Sequence, residues 1–335
     1  MKVLKILVLS SILFSFAIPL HPQQPPTGAP PAGAGPGRGR GGGGFRQPDP
    51  IDFNDHAGWT SMFDGSTLNG WDGDKAWWHI VDGAIMSEST CEKPTGTIYL
   101  VWQGGEAADF EMKLEMKGEG AHINSGVQYR GAIQEPRPPG GGRGPGGGRG
   151  PQGPCPSGQP RGIPPDQAGQ AKWNMLGAQF DFDGQNRYSG QYYEQATGRG
   201  IIAWRGQVVQ TAEGKPPRLL ATLGDKDELG GYVKVDDWNL YEVEANGAHI
   251  KTWINGVQGV DYEEKDPDIA SDGIIGIQIH GGGNSIVQVK DVFIEELPPT
   301  PNAITWEKLG GVEGQRAKLK PRAEAPKSKP SDKKQ

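Results

Sequence analysis

From Trp59 to Leu297 apolar and polar residues alternate repeatedly with a period of two, the pattern of strands that bury one face and wet the other. The cleanest run is Asp109 to Lys117, with Phe110, Met112, Leu114 and Met116 on one side and Glu111, Lys113, Glu115 and Lys117 on the other. Similar runs span Ile123 to Arg130, Gly177 to Asp183, Ile201 to Val209, Trp238 to Ala245, His249 to Val257, Ile274 to His280 and Ile286 to Glu295. Asp82-Gly83, Asn246-Gly247 and Asn255-Gly256 supply tight-turn chemistry between strands. No stretch of this region carries a helical period bounded by caps. The expectation is an all-β domain. About a dozen short strands fit a two-sheet antiparallel jelly-roll β-sandwich better than a small barrel, because a sandwich grows by adding strands whereas a closed barrel widens into a pore.

The flanks read differently. Gly (54) and Pro (29) make up about a quarter of the 335 residues, the level of low-complexity sequence. Residues 21–56 form a Gly/Pro-rich linker with too little apolar surface to offset ordering entropy. Residues 135–170, rich in Gly, Pro and Arg, interrupt strand-like sequence and read as a long loop inside a domain of 57–297, of a length that would suit gating. Upstream, Lys2 and Lys5 accompany an apolar run from Ile6 to Leu20. This is the make-up of an export signal over residues 1–20, too short to span a membrane comfortably. The protein is therefore expected to be exported, periplasmic or extracellular, with no membrane span after signal removal.

The net charge is −6, yet from Glu313 onward eight basic residues stand against three acidic ones, which leaves about −11 on the rest of the chain. Residues 298–335 are expected to form a disordered basic tail, and the acidic remainder disfavours nucleic acid as a partner. The two cysteines, Cys91 and Cys155, can pair in an oxidising compartment or remain thiols. They are too few for a zinc site.

Three strands depart from the usual rule that the wet face carries unspecific charge. Gly276, Gln278 and His280 alternate with Ile275, Ile277 and Ile279; Gln128 and Arg130 alternate with Val127 and Tyr129; Gln179, Asp181 and Asp183 alternate with Ala178, Phe180 and Phe182. A face of amides, carboxylates, Arg and His suits sugar hydroxyls, which both donate and accept. Among ten tryptophans, Trp253 shares the less apolar face of its strand with His249 and Lys251 and is a candidate stacking platform, while Trp59, Trp71, Trp77 and Trp78 are expected to pack in the core or at its edges.

Several stretches, in order, resemble one family. SMFDGSTLNGWDG (Ser61 to Gly73), WWHIVDGAIM, DFEMKLEMK followed by NSGVQYR (Asn124 to Arg130), LGAQFDFDGQNRYSGQYYEQATGRG, DDWNLYEVEANGAHIKTWING, GIIGIQIHGGG and VKDVFIEEL are similar to the motifs of 3-keto-disaccharide hydrolases. The resemblance runs from about Gly58 to Leu297 and is broken only by the Gly/Pro-rich insertion. It implies a concanavalin A-like sandwich, in agreement with the strand reading, and cleavage of glycosides whose C3 hydroxyl has been oxidised to a ketone. The ketone acidifies the C2 proton, so a base can form an enolate that expels the C1 substituent, after which water adds back. Such a route needs a base, a group to hold the enolate oxygen and an acid for the departing oxygen.

On the matching motif positions the resemblance implies His280 and Asp181 for proton transfer, Arg130 for the enolate oxygen, and Gln128, Gln179, Gln278, Glu194 and Arg199 for positioning the substrate. A divalent metal ion held by Asp181 and Asp183 is a second way to stabilise the enolate. Ala178 stands where many relatives carry an acidic or aromatic residue, so substrate range transfers least. The competing reading is a non-catalytic, lectin-like module, which would keep the polar face and the aromatics. A retaining glucanase would need two carboxyls about 5 Å apart, and no Glu pair on one strand offers them.

Overall fold

The computed structural model describes residues 55–93, 95–120, 123–134, 172–281 and 284–318. The apolar N-terminal run, most of the linker, the 135–170 insertion with Cys155, and the end of the tail lie outside the described residues. In chain order the strands are β1 (Thr60–Ser61), β2 (Trp71–Asp72), β3 (Trp78–Val81), β4 (Ala84–Ser89), β5 (Gly96–Trp102), β6 (Phe110–Glu119), β7 (Asn124–Ile133), β8 (Met175–Asp183), β9 (Tyr192–Gln195), β10 (Gly200–Ala203), β11 (Gln207–Gln210), β12 (Arg218–Thr222), β13 (Asn239–Asn246), β14 (His249–Ile254), β15 (Val257–Glu263), β16 (Ile274–Gly281) and β17 (Ser285–Glu296).

The larger sheet runs β12-β11-β15-β14-β13-β6-β17-β4-β3, with β1 beside β17, and the smaller runs β10-β9-β8-β7-β16-β5-β2. The described pairings are antiparallel except β11 with β15. The jelly-roll sandwich expected from the alternation is the one the chain forms. Phe110, Met112, Leu114 and Met116 of β6 are fully buried and meet Val127, Phe180, Ile277 and Ile279 of the smaller sheet in one core. Across the gap Phe180 tilts against Tyr241 with ring centroids 4.7 Å apart, a geometry that adds to the gain from buried area. Trp71, Trp77 and Trp78 are buried in the same core. Two of the tight turns are visible in the backbone, with positive φ at Asp82 and Gly83 (49° and 77°) and at Asn255 and Gly256 (51° and 76°), as two-residue hairpin turns of this hand require.

Five expectations are corrected. The run Ile201 to Val209 is not one strand, since the chain turns at Trp204 to Gly206, where Gly206 has φ 89°, and β10 and β11 join different sheets. Helices do occur: α1 (Lys226–Gly230) is capped by the Asp225 side chain, and α2 (Trp306–Leu309) and α3 (Gly311–Lys318) fall inside the expected disordered tail. There Thr305 caps α2 at its start, Gly310 ends it in the left-handed conformation, and Trp306 is buried with Leu176, Ala270 and Leu309. Lys113, on the wet side of β6, is buried because its ammonium donates to the Asp55 carbonyl at 2.9 Å and lies 4.3 Å from the Trp59 ring centroid. Ordered structure therefore begins before residue 57, and His56 stacks on Phe293. Cys91 is held in a disulfide. No helix among the described residues is long and apolar enough to cross a membrane.

Candidate active site

The polar face belongs to β7, β8 and β16, neighbours in the smaller sheet, on the side turned away from the core. Register aligns its side chains in rows. Tyr99 lies opposite Gln278, Gln278 opposite Gly126 and Gly126 opposite Asp181; one row along, Gly276 lies opposite Gln128, Gln128 opposite Gln179 and Gln179 opposite Tyr193. The three glutamines are buried, at 0 to 2 % exposure, and hydrogen-bonded in a chain: Gln128 Nε2 donates to Gln179 Oε1 (3.4 Å), Gln179 Nε2 to Gln278 Oε1 (3.0 Å) and Gln278 Nε2 to the Tyr99 hydroxyl (2.9 Å). Gly126 makes room for this chain, because a Cβ there would sit 2.8 Å from Gln179 Nε2 and 2.7 Å from the Phe180 carbonyl oxygen. Buried amides fixed by one another present donors and acceptors without rotamer freedom.

Two titratable groups flank the glutamines. Asp181 is 6 % exposed. Its Oδ2 accepts from Gln191 Nε2 at 2.5 Å, while Oδ1 has no hydrogen-bond partner among the described residues; the Gln179 amide also acts on the carboxyl to lower its pKa. Burial, only partly offset by those two amides, pushes the carboxyl up to about 8, so it holds a proton at neutral pH. His280 lies in the next row, opposite Thr97, whose hydroxyl meets Nδ1 at 2.8 Å. Burial lowers its pKa, so the ring is neutral near pH 7; in the tautomer in which Nδ1–H donates to the Thr97 hydroxyl, Nε2 is free to accept a proton. β7 separates the two strands, which places their axes about 10 Å apart. A neutral acid and a neutral base thus stand on either side of the amides.

Of the remaining candidates, the structure brings only Asp183 to this face. Arg130 has φ 46° at a β-bulge between Tyr129 and Ala132, which turns its side chain across to the larger sheet. There Nε donates to the Ala108 carbonyl (2.8 Å), Nη1 to the Gly247 carbonyl (2.7 Å) and Nη2 to Asp109 Oδ1 (3.1 Å). The expected oxyanion ligand is instead a pin between the sheets. Glu194 points inward with Tyr192. It is paired at 2.8 Å with Arg199, which also meets Glu264 at 2.8 Å, and burial raises the Glu194 pKa against the pull of Arg199. Arg130, Glu194 and Glu264 line a separate cavity of about 270 Å³ bounded by Ile304 and Trp306. Trp253 sits on the larger sheet, beside Glu242 and Gln258. Asp183 shares the polar face, but its Oδ2 accepts from the backbone of Arg187 (2.7 Å) and Tyr188 (3.3 Å). Among the described residues no group of three His, Cys, Asp or Glu side chains could hold a metal ion.

Other residues complete the face. Thr97 and Tyr99 come from β5, whose alternation against Ile98 and Leu100 is the signal that marks them. Tyr193 and Gln191 flank Asp181, and Gln191 lies in a turn where periodicity carries no information. Further along, a second cavity of about 330 Å³ is lined by Asp72, Val101, Trp102, Glu106, Trp173 and Ile274.

Among solved structures, a candidate glycosyl hydrolase from Parabacteroides distasonis is 18 % identical, with 71 % of this chain and 99 % of that one covered, at a TM-score of 0.39. The carbohydrate-binding module CBM66 from Bacillus subtilis is 12 % identical over 68 % and 96 % (TM-score 0.38), and the Bacillus licheniformis β-glucanase 8 % over 72 % and 97 % (TM-score 0.36). No curated protein matches the chain. Residues 58–295 match the domain described as 3-keto-alpha-glucoside-1,2-lyase-like, the stretch that carries both the sandwich and the polar face; the chain belongs to that family.

Proposed function

We propose that the protein cleaves the glycosidic bond of 3-keto-glycosides by elimination followed by hydration. The observation that carries the reading is Asp181, a buried carboxyl with a pKa raised to about 8 and an Oδ1 without a hydrogen-bond partner among the described residues, set among fixed sugar-matching amides in a chain of this family. Neutral His280 takes the C2 proton at Nε2, and the electron pair moves into the C2–C3 bond as the C3 carbonyl becomes an enolate. The enolate oxygen is held by amide N–H groups and the Tyr99 hydroxyl, a role Arg130 cannot fill. The enolate then re-forms the ketone and expels the C1 oxygen, which takes its proton from Asp181 Oδ1. The product is a C1–C2 unsaturated 3-keto sugar and a free alcohol. Water adds to C1, a proton returns to C2, and 3-keto sugar is released. The cavity beyond Val101 and Ile274 offers room for the departing group.

Incubation of the purified protein with a 3-keto-α-glucoside should release the alcohol, with formation of the unsaturated ketone visible by ultraviolet absorbance. Sugar binding without release would overturn the catalytic reading in favour of a binding module.

A further inference from the structure

The large apolar side chains exposed among the described residues are Leu219 (52 %), Leu220 (47 %), Leu223 (38 %), Tyr232 (58 %) and Val235 (58 %). All fall between residues 219 and 235, at one corner of the larger sheet. Elsewhere the described surface hides its large apolar groups, so this concentration is a feature to be explained. Leu219 and Leu220 lie on β12, the last strand of its sheet, exposed at each of its five positions and paired only with β11. Between Leu219 and Leu223 the edge carries no charge and no proline, two of the devices that keep an edge strand from pairing.

The patch is rigidly presented. Leu223 N–H donates to the Gly206 carbonyl at 2.8 Å. The loop that carries Tyr232 and Val235 is held by Asn255 Nδ2 on the Tyr232 carbonyl (2.7 Å) and by the Asn239 side chain on both backbone groups of Lys234 (2.8 Å each). A pre-ordered apolar surface with an exposed tyrosine loses little entropy on docking.

Charge along this edge selects the occupant. Lys215 and Arg218 lie before the leucines, and Asp225, Asp227 and Glu228 after them; Asp225, fully exposed, is held in its ionised form by the backbone N–H groups of Glu228 and Asp227. A segment that is basic just before and at the start of β12 and, Lys226 apart, acidic at the start of α1 after it is complementary to its own antiparallel copy. With a two-fold axis at Leu220, Lys215 of one copy faces Asp225 of the other and the leucines meet at the centre. We infer that β12 is the interface of a two-fold dimer of this chain. The register shift between Val208 and Val209, which leaves Leu220 as the extra residue, adds twist to the edge and favours a closed pair over continued strand addition.

Sedimentation velocity of the full chain over a concentration series should show a reversible monomer–dimer equilibrium. Leu219→Asp with Leu220→Asp should weaken it by about a hundredfold or more with an unchanged unfolding midpoint, since both side chains are exposed. Two charge variants make the test specific to a second copy. Lys215→Glu, and separately Asp225→Lys, should each be monomeric alone and dimerise when mixed, because the two-fold then sets the two substituted residues, now of opposite charge, against each other at one end and Lys215 against Asp225 at the other. A wild-type chain that stays monomeric at every concentration, a dimer that survives the aspartates, or a mixture that fails to associate would overturn the assignment.

Discussion

Asp181→Asn keeps the shape of a side chain on which the proposed chemistry turns and removes its ionisable proton. In the folded chain the carboxyl holds that proton up to about pH 8, against an ordinary value of 3.8. A group whose pKa is raised on folding favours the native state fully below the unfolded value, and the advantage is lost as pH rises to the folded value. Between those limits the wild type should lose about 1.4 kcal/mol per pH unit through this one group, of the order of 5 kcal/mol in all. Asparagine, uncharged like the protonated acid and still able to accept from Gln191, has no such slope. In urea unfolding followed by tryptophan fluorescence, the variant should gain on the wild type by about 2 to 3 kcal/mol between pH 5 and pH 7, and by about 1 kcal/mol more up to pH 9. Parallel stability curves for the two proteins would refute the argument that Asp181 is buried without compensation. The same variant should lose at least about a hundredfold in turnover; full activity would remove Asp181 from the chemistry while leaving the stability argument intact.

His280→Ala should abolish release of the alcohol with little change in unfolding midpoint, and wild-type activity should fall on the acid side only below pH 6.5, because burial holds the imidazole pKa under its ordinary value, and on the alkaline side as Asp181 loses its proton near pH 8. Arg130→Met should cost about 3 kcal/mol in urea unfolding by leaving Asp109 buried without its counter-charge, though still bonded to Gly247 and Thr300, while the pH profile of turnover keeps its shape. Gly126→Ala places a methyl against Gln179 and should weaken substrate affinity by about tenfold, read as a raised KM in the release assay.

Much of the polar face was legible because period two assigns side chains to faces without any knowledge of the fold. Gln128, Gln179, Asp181, Gln278 and His280 share a parity opposite to buried Val127, Phe180, Ile277 and Ile279, and the sheet merely sets them side by side. Arg130 fails that logic by one residue, where the bulge breaks the alternation. Glu194 was reached through a motif, which says nothing of facing; its parity with Tyr192, whose ring stacks on Tyr262 in the core, sends it inward. Trp253 faces outward as its pattern indicates, but alternation cannot say to which sheet a strand belongs. β12 escaped notice because a strand exposed on both sides has no alternation to reveal it. The helices after Thr305 are four and eight residues long, too short for a helical period, and only the Thr cap and the Gly stop announce them.

Whether the face catalyses or only binds turns on the same carboxyl. Sugar hydroxyls are satisfied by neutral amides, and Gln128, Gln179 and Gln278 already supply them from buried side chains joined by hydrogen bonds, with Gln128 Oε1 left to accept. A binding module gains nothing from an acid among them that could not come from asparagine, and asparagine would be free of a cost that grows with pH. Asp181 instead combines that cost with an oxygen that has no partner among the described residues, beside a face whose other end carries a neutral histidine. Destabilising groups persist where activity needs them, and a proton donor set across from a proton acceptor is what elimination from a 3-keto-glycoside requires. If release is absent while sugar still binds, the catalytic reading falls to the binding module, and a pH-dependent gap between the wild type and the Asp181→Asn variant then reports only the cost of burying the acid.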